Sequence, residues 1–395
     1  MKVALVHDYL KEYGGAERVL KVLTEMYPEA PIYTAFYVRN STAGKEFAGK
    51  DIKESWLAPI LKIGKLYSPL RFLAPLIWGR MDLSDYDLVI TSCSWYITRG
   101  FKVSPRTKVV AYCHTPPRWL YGYETSVGFR KFWPVKIYAA IVGHFMRMYD
   151  FASAQNHTPR SLVRSGVDYF IANSENVKKR IEKFYRRDST VIYPPVDIEK
   201  IINFTTALRS SVVKKQETYF LIVSRIVGAK GLEEAAKAFR NLPYKLKIVG
   251  EAHGYSNVKS QMSKVKSQNI DFLERVTDEK LWGLYARAKG FIALARDEDF
   301  GMTVVEAQAA GIPVIAFNGG GFKESVIDGV TGILINNTDE KTLKKAIERF
   351  NKIKWDENKL RNNARKFSKE RFVKEIEEYI WRIMNLVLWI KMLYT

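Results

Sequence analysis

At 395 residues the chain is too long for one ordinary hydrophobic core, so two domains of roughly 150–200 residues are expected. A hydrophobic content of 47%, with 13% aromatics, excludes a disordered chain, and apolar runs such as "IYAAIVGHFM" fall short of the ~20 residues of a membrane span. The formal charge of +21 favours anionic partners: nucleic acid, an acidic membrane surface or phosphorylated ligands.

The chain opens on "KVALVHDYLKEYGGAERVLKVLTEM", which reads as an apolar strand with no signal peptide before it, a turn carrying Gly14 and Gly15, and a helix. Ala16, Val19, Leu20 and Leu23 recur at helical spacing. Next comes Lys53–Arg80, a stretch with five basic residues, one acid and several large apolar side chains. Strands follow in "YDLVITSC" and "TKVVAYCH", and the second ends at His114 before Thr115-Pro116-Pro117. Cys93 and Cys113 sit in these strands and read as two buried thiols of a reducing compartment, although one disulfide is compatible with the count. Ser126–Tyr149 carries four Lys or Arg and no acid. Basic amphipathic segments bearing Trp and Phe suit an anionic interface, and equally suit packing on a sheet with solvated cations.

"DYFIANS" and "TVIYPPV" complete the strands of the first half, and Pro194-Pro195 extends neither strand nor helix. A first domain over 1–196 and a second over 197–378 are therefore expected. The second half opens on strand Tyr219–Ser224 and a loop with Arg225, Lys230 and Gly231, from which a helix starts at Leu232. Two cations, a glycine and a helix N-terminus describe a diphosphate site; two solvated loop cations are the plainer alternative. "LKIVG", "IDFLE", "KGFIALA", "IPVIAF" and "TGILI" continue the alternation of short strands with helical patterns. The fold class is α/β, with two doubly wound Rossmann-like parallel sheets facing a cleft and ligands beyond the strand carboxyl ends.

The run "ARDEDFGMTVVEAQAAGIPVIA" brackets a strand-to-helix turn between Glu298 and Glu306. Carboxylates accept paired hydrogen bonds from vicinal hydroxyls, so two of them at this spacing suit two sugar rings. Glu306 near a helix start is also explained by the helix dipole. The triple glycine of "FNGGG" lets backbone approach a ligand, or simply makes a turn. No His, Cys, Asp or Glu spacing reads as a metal site. His114 taken alone is either a satisfied structural histidine or a site group.

These residues carry a resemblance that spans the chain. Glu298–Glu306 with "FG" inside it, together with "GGAERVL", "HTPPRWLYG" and "VIYPPVD", resembles the E-x7-E retaining glycosyltransferases of the GT-B fold. "EDFG", "HDYLKEYGGAERVL" and "YCHTPPRWL" most resemble the branch that uses GDP-mannose for polysaccharide and O-antigen assembly. The resemblance implies a metal-independent transfer of a hexose, with mannose favoured, from a nucleoside-diphosphate sugar to a glycan or lipid-linked acceptor. It needs no cofactor besides the donor. It assigns Arg225 and Lys230 to the diphosphate and Glu306 to the ribose. Glu298 falls to the sugar ring, His114 to the reaction centre, and Gly14 and Gly15 to a loop that closes on the diphosphate. Phe300, Gly301, Met302 and Thr303 join the donor pocket by position. Residues 379–395 match a last helix that returns to the first domain. Ala295-Arg296 departs from the Pro-Ser common in the family and adds a cation before the acids. The two thiols, with no signal peptide or membrane-length apolar run read in the sequence, imply a cytoplasmic protein, and the basic stretches allow a peripheral position on the inner membrane face. The rival readings are a nucleic-acid binder, an inactive sugar-nucleotide-binding subunit and a nucleotide-sugar epimerase of the same fold; the scattered cations, without any nucleic-acid motif, argue against the first.

Overall fold

The computed structural model describes residues 1–64, 66–123, 133–155, 165–211, 219–226, 230–240, 242–250 and 268–393. The chain divides into two compact units. One comprises Met1–Tyr123, Phe132–Pro195 and the chain from Phe372 onward, and the other is built on Val196–Arg371.

The first unit holds a parallel sheet of β1 (Val3–His7), β2 (Ile32–Thr34), β3 (Ile52–Glu54), β4 (Leu88–Cys93), β5 (Lys108–Cys113), β6 (Tyr169–Ala172) and β7 (Thr190–Val191), in the order β3-β2-β1-β4-β5-β6-β7. Every residue of β1 is buried. Its alternate residues feed two cores, Ala4 and Val6 on one face, Val3 and Leu5 on the other. That is why β1 reads as an unbroken apolar run: helices cover both faces of a parallel sheet. The Gly15–Met26 helix buries Val19, Leu20 and Leu23 on the Val3 and Leu5 face. The last helix, Lys369–Leu393, adds Phe372, Ile376, Ile380 and Ile383 to the same core. This stripe at helical spacing begins at Phe372, so the chain rejoins the first unit there, ahead of the expected 379. On the opposite face Asp150 is ion-paired with buried Arg99 and accepts a 2.7 Å hydrogen bond from the Tyr121 hydroxyl. Cys93 and Cys113 are buried free thiols. β2 and β3 escape the sequence reading because three residues are too few to establish a period.

The second unit holds a parallel sheet of β8 (Tyr219–Val223), β9 (Lys245–Val249), β10 (Ile270–Leu273), β11 (Gly290–Ala293), β12 (Val314–Phe317) and β13 (Gly332–Ile335), ordered β10-β9-β8-β11-β12-β13. Phe220, Ile222, Leu246, Ile292, Ile315 and Ile333 pack one face against helices Leu232–Phe239 and Glu340–Lys352. In each sheet the strand order reverses once, between β1 and β4 and between β8 and β11. Such switch points open a crevice at the strand carboxyl ends.

Candidate functional site

The switch point of the second sheet gathers most of the residues singled out in the sequence. Lys230 follows β8 and directly precedes Gly231, the N-cap of helix Leu232–Phe239. Gly231 has φ +67°, and a Cβ there would lie 2.6 Å from the Leu294 Cβ, just beyond β11. Only glycine lets the β8 loop close onto the β11 loop at this point. That approach brings the Lys230 ammonium onto the Glu298 carboxylate, and the two are ion-paired. Both side chains are only about one-fifth exposed (17% and 21%), so their charges are partly shielded from bulk water. Arg225 lies exposed on the same loop.

Glu298 belongs to a loop held from below by the glycines of "FNGGG". A Cβ on Gly320 would stand 2.2 Å from the Glu298 carbonyl oxygen, and one on Gly321 would stand 2.4 Å from the Phe300 Cα. The Gly321 amide donates to the Glu298 carbonyl at 2.9 Å. The triple glycine is therefore the seat of the acidic loop. From the sequence alone the motif suits ligand approach or a turn. Phe300 is buried against Phe367, with ring centroids 5.2 Å apart, so its side chain serves packing and leaves only its backbone for a ligand. Gly301, at φ +90°, caps helix Met302–Ala309, with Met302 and Thr303 half-buried in its first turn. Arg296 turns to Thr338, donating to its hydroxyl at 3.0 Å.

Glu306 lies in the second turn of that helix and is only 3% exposed. Its Oε2 accepts a 3.1 Å hydrogen bond from the hydroxyl of the buried Tyr285, which also reaches the Thr303 carbonyl at 3.3 Å. A dipole role at a solvated helix end does not describe so buried a carboxylate. Tyr285 is the residue the sequence reading misses here, since one tyrosine in an amphipathic helix looks like core.

In the first unit the switch point between β1 and β4 carries a second cluster. His114 follows β5 and its Nε2 lies 2.8 Å from the Ser92 Oγ on β4. Ser92 Oγ lies 3.1 Å from Nδ1 of His7, at the end of β1, and His7 Nε2 lies 3.3 Å from Glu17 Oε1. The other oxygen of Glu17 accepts the Gly14 amide at 2.8 Å, capping the helix that starts at Gly15. Gly14 and Gly15 are exposed and Gly14 is extended (φ −129°), so no strained turn dictates the glycine there, although a Cβ would crowd the Glu17 carboxylate at 3.2 Å. Burial, and then His7 beside it, hold the His114 pKa down at about 3. His7, Ser92 and Glu17 were missed; the spacing Gly14-x-x-Glu17 is the capping signal that points to the last of them. Asp8, next to His7, pins the loop after β4 by accepting the amides of Ser94 and Trp95 at 3.2 and 2.6 Å.

Among the described residues no three His, Cys, Asp or Glu side chains group as metal ligands. No described helix is long and apolar enough to cross a membrane. On helix Trp133–Ala154, Ile137, Ile141, Phe145 and Met148 form one stripe with exposures between 52% and 65%. Trp56, Ile60 and Ile63 are also exposed, whereas Leu57, Leu61, Ile77 and Trp78 of the same basic stretch are core.

Residues 203–367 match the family model "Glycosyl transferases group 1", and residues 13–200 match "Glycosyltransferase Family 4". An uncharacterized glycosyltransferase of Methanocaldococcus jannaschii is 26% identical over 203 residues, 51% of this chain and 55% of the relative. The chain thus spans roughly half the length of the curated relatives it matches. Two solved structures share the fold along almost the whole chain. Sucrose-phosphate synthase of Thermosynechococcus elongatus has a TM-score of 0.70 at 16% identity, over 98% of this chain and 100% of its own. HepE of Anabaena, solved with UDP-glucose, has a TM-score of 0.66 at 19% identity, over 97% and 100%.

Proposed function

We propose that this chain, whose residues 203–367 match the group 1 glycosyltransferases and residues 13–200 Glycosyltransferase Family 4, moves a hexose from a nucleoside-diphosphate sugar to an acceptor hydroxyl with retention at the anomeric carbon. Mannose from GDP-mannose is the donor this reading favours, and a lipid-linked or polysaccharide glycan is the acceptor. One observation carries the reading. At the switch point of the second sheet Lys230, directly before a helix N-terminus, is ion-paired with Glu298.

Breaking a sugar–diphosphate bond puts negative charge on the leaving group and positive charge on the ring. Lys230 and the amides of the Leu232–Phe239 helix suit the leaving diphosphate, with Arg225 reinforcing them from the same loop. In this reading the incoming diphosphate takes Lys230 from Glu298, and the released carboxylate grips the sugar hydroxyls. Glu306, oriented by Tyr285, holds the ribose. These cations supply the charge that a divalent ion provides in other transferases, so the reaction is proposed to run without metal. His114, neutral at ordinary pH, suits hydrogen bonding to a sugar hydroxyl. No covalent nucleophile is required if the acceptor attacks the face that the diphosphate leaves.

The exposed stripe Ile137, Ile141, Phe145 and Met148, on a chain of charge +21, supports peripheral attachment to an anionic membrane, where a lipid-linked acceptor would reside. The test is transfer of labelled sugar from GDP-mannose, UDP-glucose and UDP-galactose into lipid-extractable product by the purified chain. Label from GDP-mannose alone supports the full reading. Preference for a UDP-sugar overturns the mannose assignment, and no transfer or donor cleavage with any of them overturns the enzyme.

A further inference from the structure

The first-unit cluster has a direction that follows from which of its members can donate. Glu17 is an acceptor at both oxygens, one taking the Gly14 amide at 2.8 Å and the other facing His7 Nε2 at 3.3 Å. His7 Nε2 therefore carries the hydrogen, and a neutral ring leaves the lone pair on Nδ1. With His7 uncharged, the Ser92 hydroxyl, 3.1 Å away, gives its one hydrogen to that lone pair. Toward His114 Nε2, 2.8 Å on the other side, Ser92 can then only accept. We propose that Glu17, His7 and Ser92 form a one-way hydrogen-bond chain that holds His114 in its Nε2–H tautomer and presents Nδ1 as the acceptor to substrate. The three are positioning residues, and the chain ends in the amide of Gly14, so the cap of the first helix and the His114 ring share one set of hydrogen bonds.

The tautomer matters because His114 is buried and stays uncharged at ordinary pH, so what it does to a hydroxyl depends on which nitrogen bears the hydrogen. Neither neighbour is incidental. His7, the last residue of β1, is 1% exposed, as is Ser92, the last but one of β4. An uncompensated polar group there would be costly, so the set is kept complete.

The role assigned to His114 rests on the proposed glycosyl transfer, whereas the tautomer does not. The chain has five histidines, few enough for a long-range proton–nitrogen spectrum of the full-length, histidine-labelled protein, with His7→Gln and His114→Gln giving the assignments. The expected spectrum shows His114 protonated at Nε2 and bare at Nδ1 in the wild type. Ser92→Ala should give a mixture of tautomers, and Ser92→Thr, which keeps the hydroxyl, should restore the single form. Ser92→Ala should also lower kcat by about 10–100-fold, the scale seen when a partner that orients a functional histidine is lost, with donor KM within about two-fold. His114 protonated at Nδ1 in the wild type, or unchanged in Ser92→Ala, overturns the proposal. A wild type that cleaves no donor refutes the transferase reading, and the spectrum alone then decides the hydrogen-bond chain.

Discussion

Glu306→Gln and Glu298→Gln should separate the two halves of a donor. Glu306 is 3% exposed, and its Oε2 takes the Tyr285 hydroxyl at 3.1 Å. A glutamine oxygen accepts the same hydrogen bond in the same volume, so the fold should lose no more than about 1 kcal/mol. The ribose should feel the change more. A hydrogen bond to a carboxylate contributes about 1.5–3 kcal/mol and a neutral one about 0.5–1.5, a difference near 1–1.5 kcal/mol. That is about a ten-fold weaker Kd for GDP or UDP. Glu298 is ion-paired with Lys230, so a diphosphate bound to the lysine would compete with it. Glu298→Gln weakens that competitor, and the variant should bind free nucleoside diphosphate as well as the wild type or better. Its defect should lie in kcat, by about 10²-fold, since the sugar ring develops charge in the transition state. Calorimetry with GDP and UDP against both variants reads this directly. Equal losses in the two variants, or a loss confined to Glu298→Gln, would refute the division of labour.

Gly320→Ala should destabilise the second unit by roughly 1–3 kcal/mol, because φ is +55° and the new methyl would meet the Glu298 carbonyl oxygen at 2.2 Å. Thermal unfolding and nucleotide binding should fall together; a stable variant with intact binding would mean that the glycine seat does not hold the acidic loop. The His114 pKa is about 3 in the folded chain against an ordinary 6.5, so the unfolded state binds more protons between those values. Stability should fall as pH drops from about 6.5 toward 4, and His114→Gln should flatten that slope in urea titrations; an unchanged slope would contradict the buried neutral ring. Flotation with phosphatidylserine-containing vesicles should succeed at low salt and fail both at high salt and for Phe145→Glu. Equal recovery of the Phe145 variant would place attachment elsewhere.

Much of the fold was legible because parallel strands covered on both faces are apolar throughout, as "VALV" and "VVAYC" are, and because the helix starts at Gly15, Leu232 and Met302 follow glycine-bearing turns. The loop residues at strand ends were legible for the same reason: charge where an apolar run stops is conspicuous. What stayed hidden was who touches whom. Lys230 and Glu298 lie 68 residues apart, and only the closure allowed by Gly231 against Leu294 makes them partners. Ser92, His7 and Tyr285 are ordinary residues in apolar segments and gain meaning only from register, as when β1 pairs His7 with Ser92 on β4. The exposed stripe of helix Trp133–Ala154 was ambiguous in sequence because an apolar helical face looks the same whether it meets a sheet or not.

Metal-free cleavage of a nucleoside-diphosphate sugar at the Lys230 cluster is best read from nucleoside diphosphate release. The purified full chain would be given a panel of GDP- and UDP-sugars with membrane lipid extract and excess chelator, beside Lys230→Ala. The expected result is release from one donor by the wild type, undiminished by the chelator, and a loss of about 10²-fold or more in Lys230→Ala. Release that stops with chelator and returns with magnesium or manganese, or a Lys230→Ala chain as active as the wild type, would contradict it.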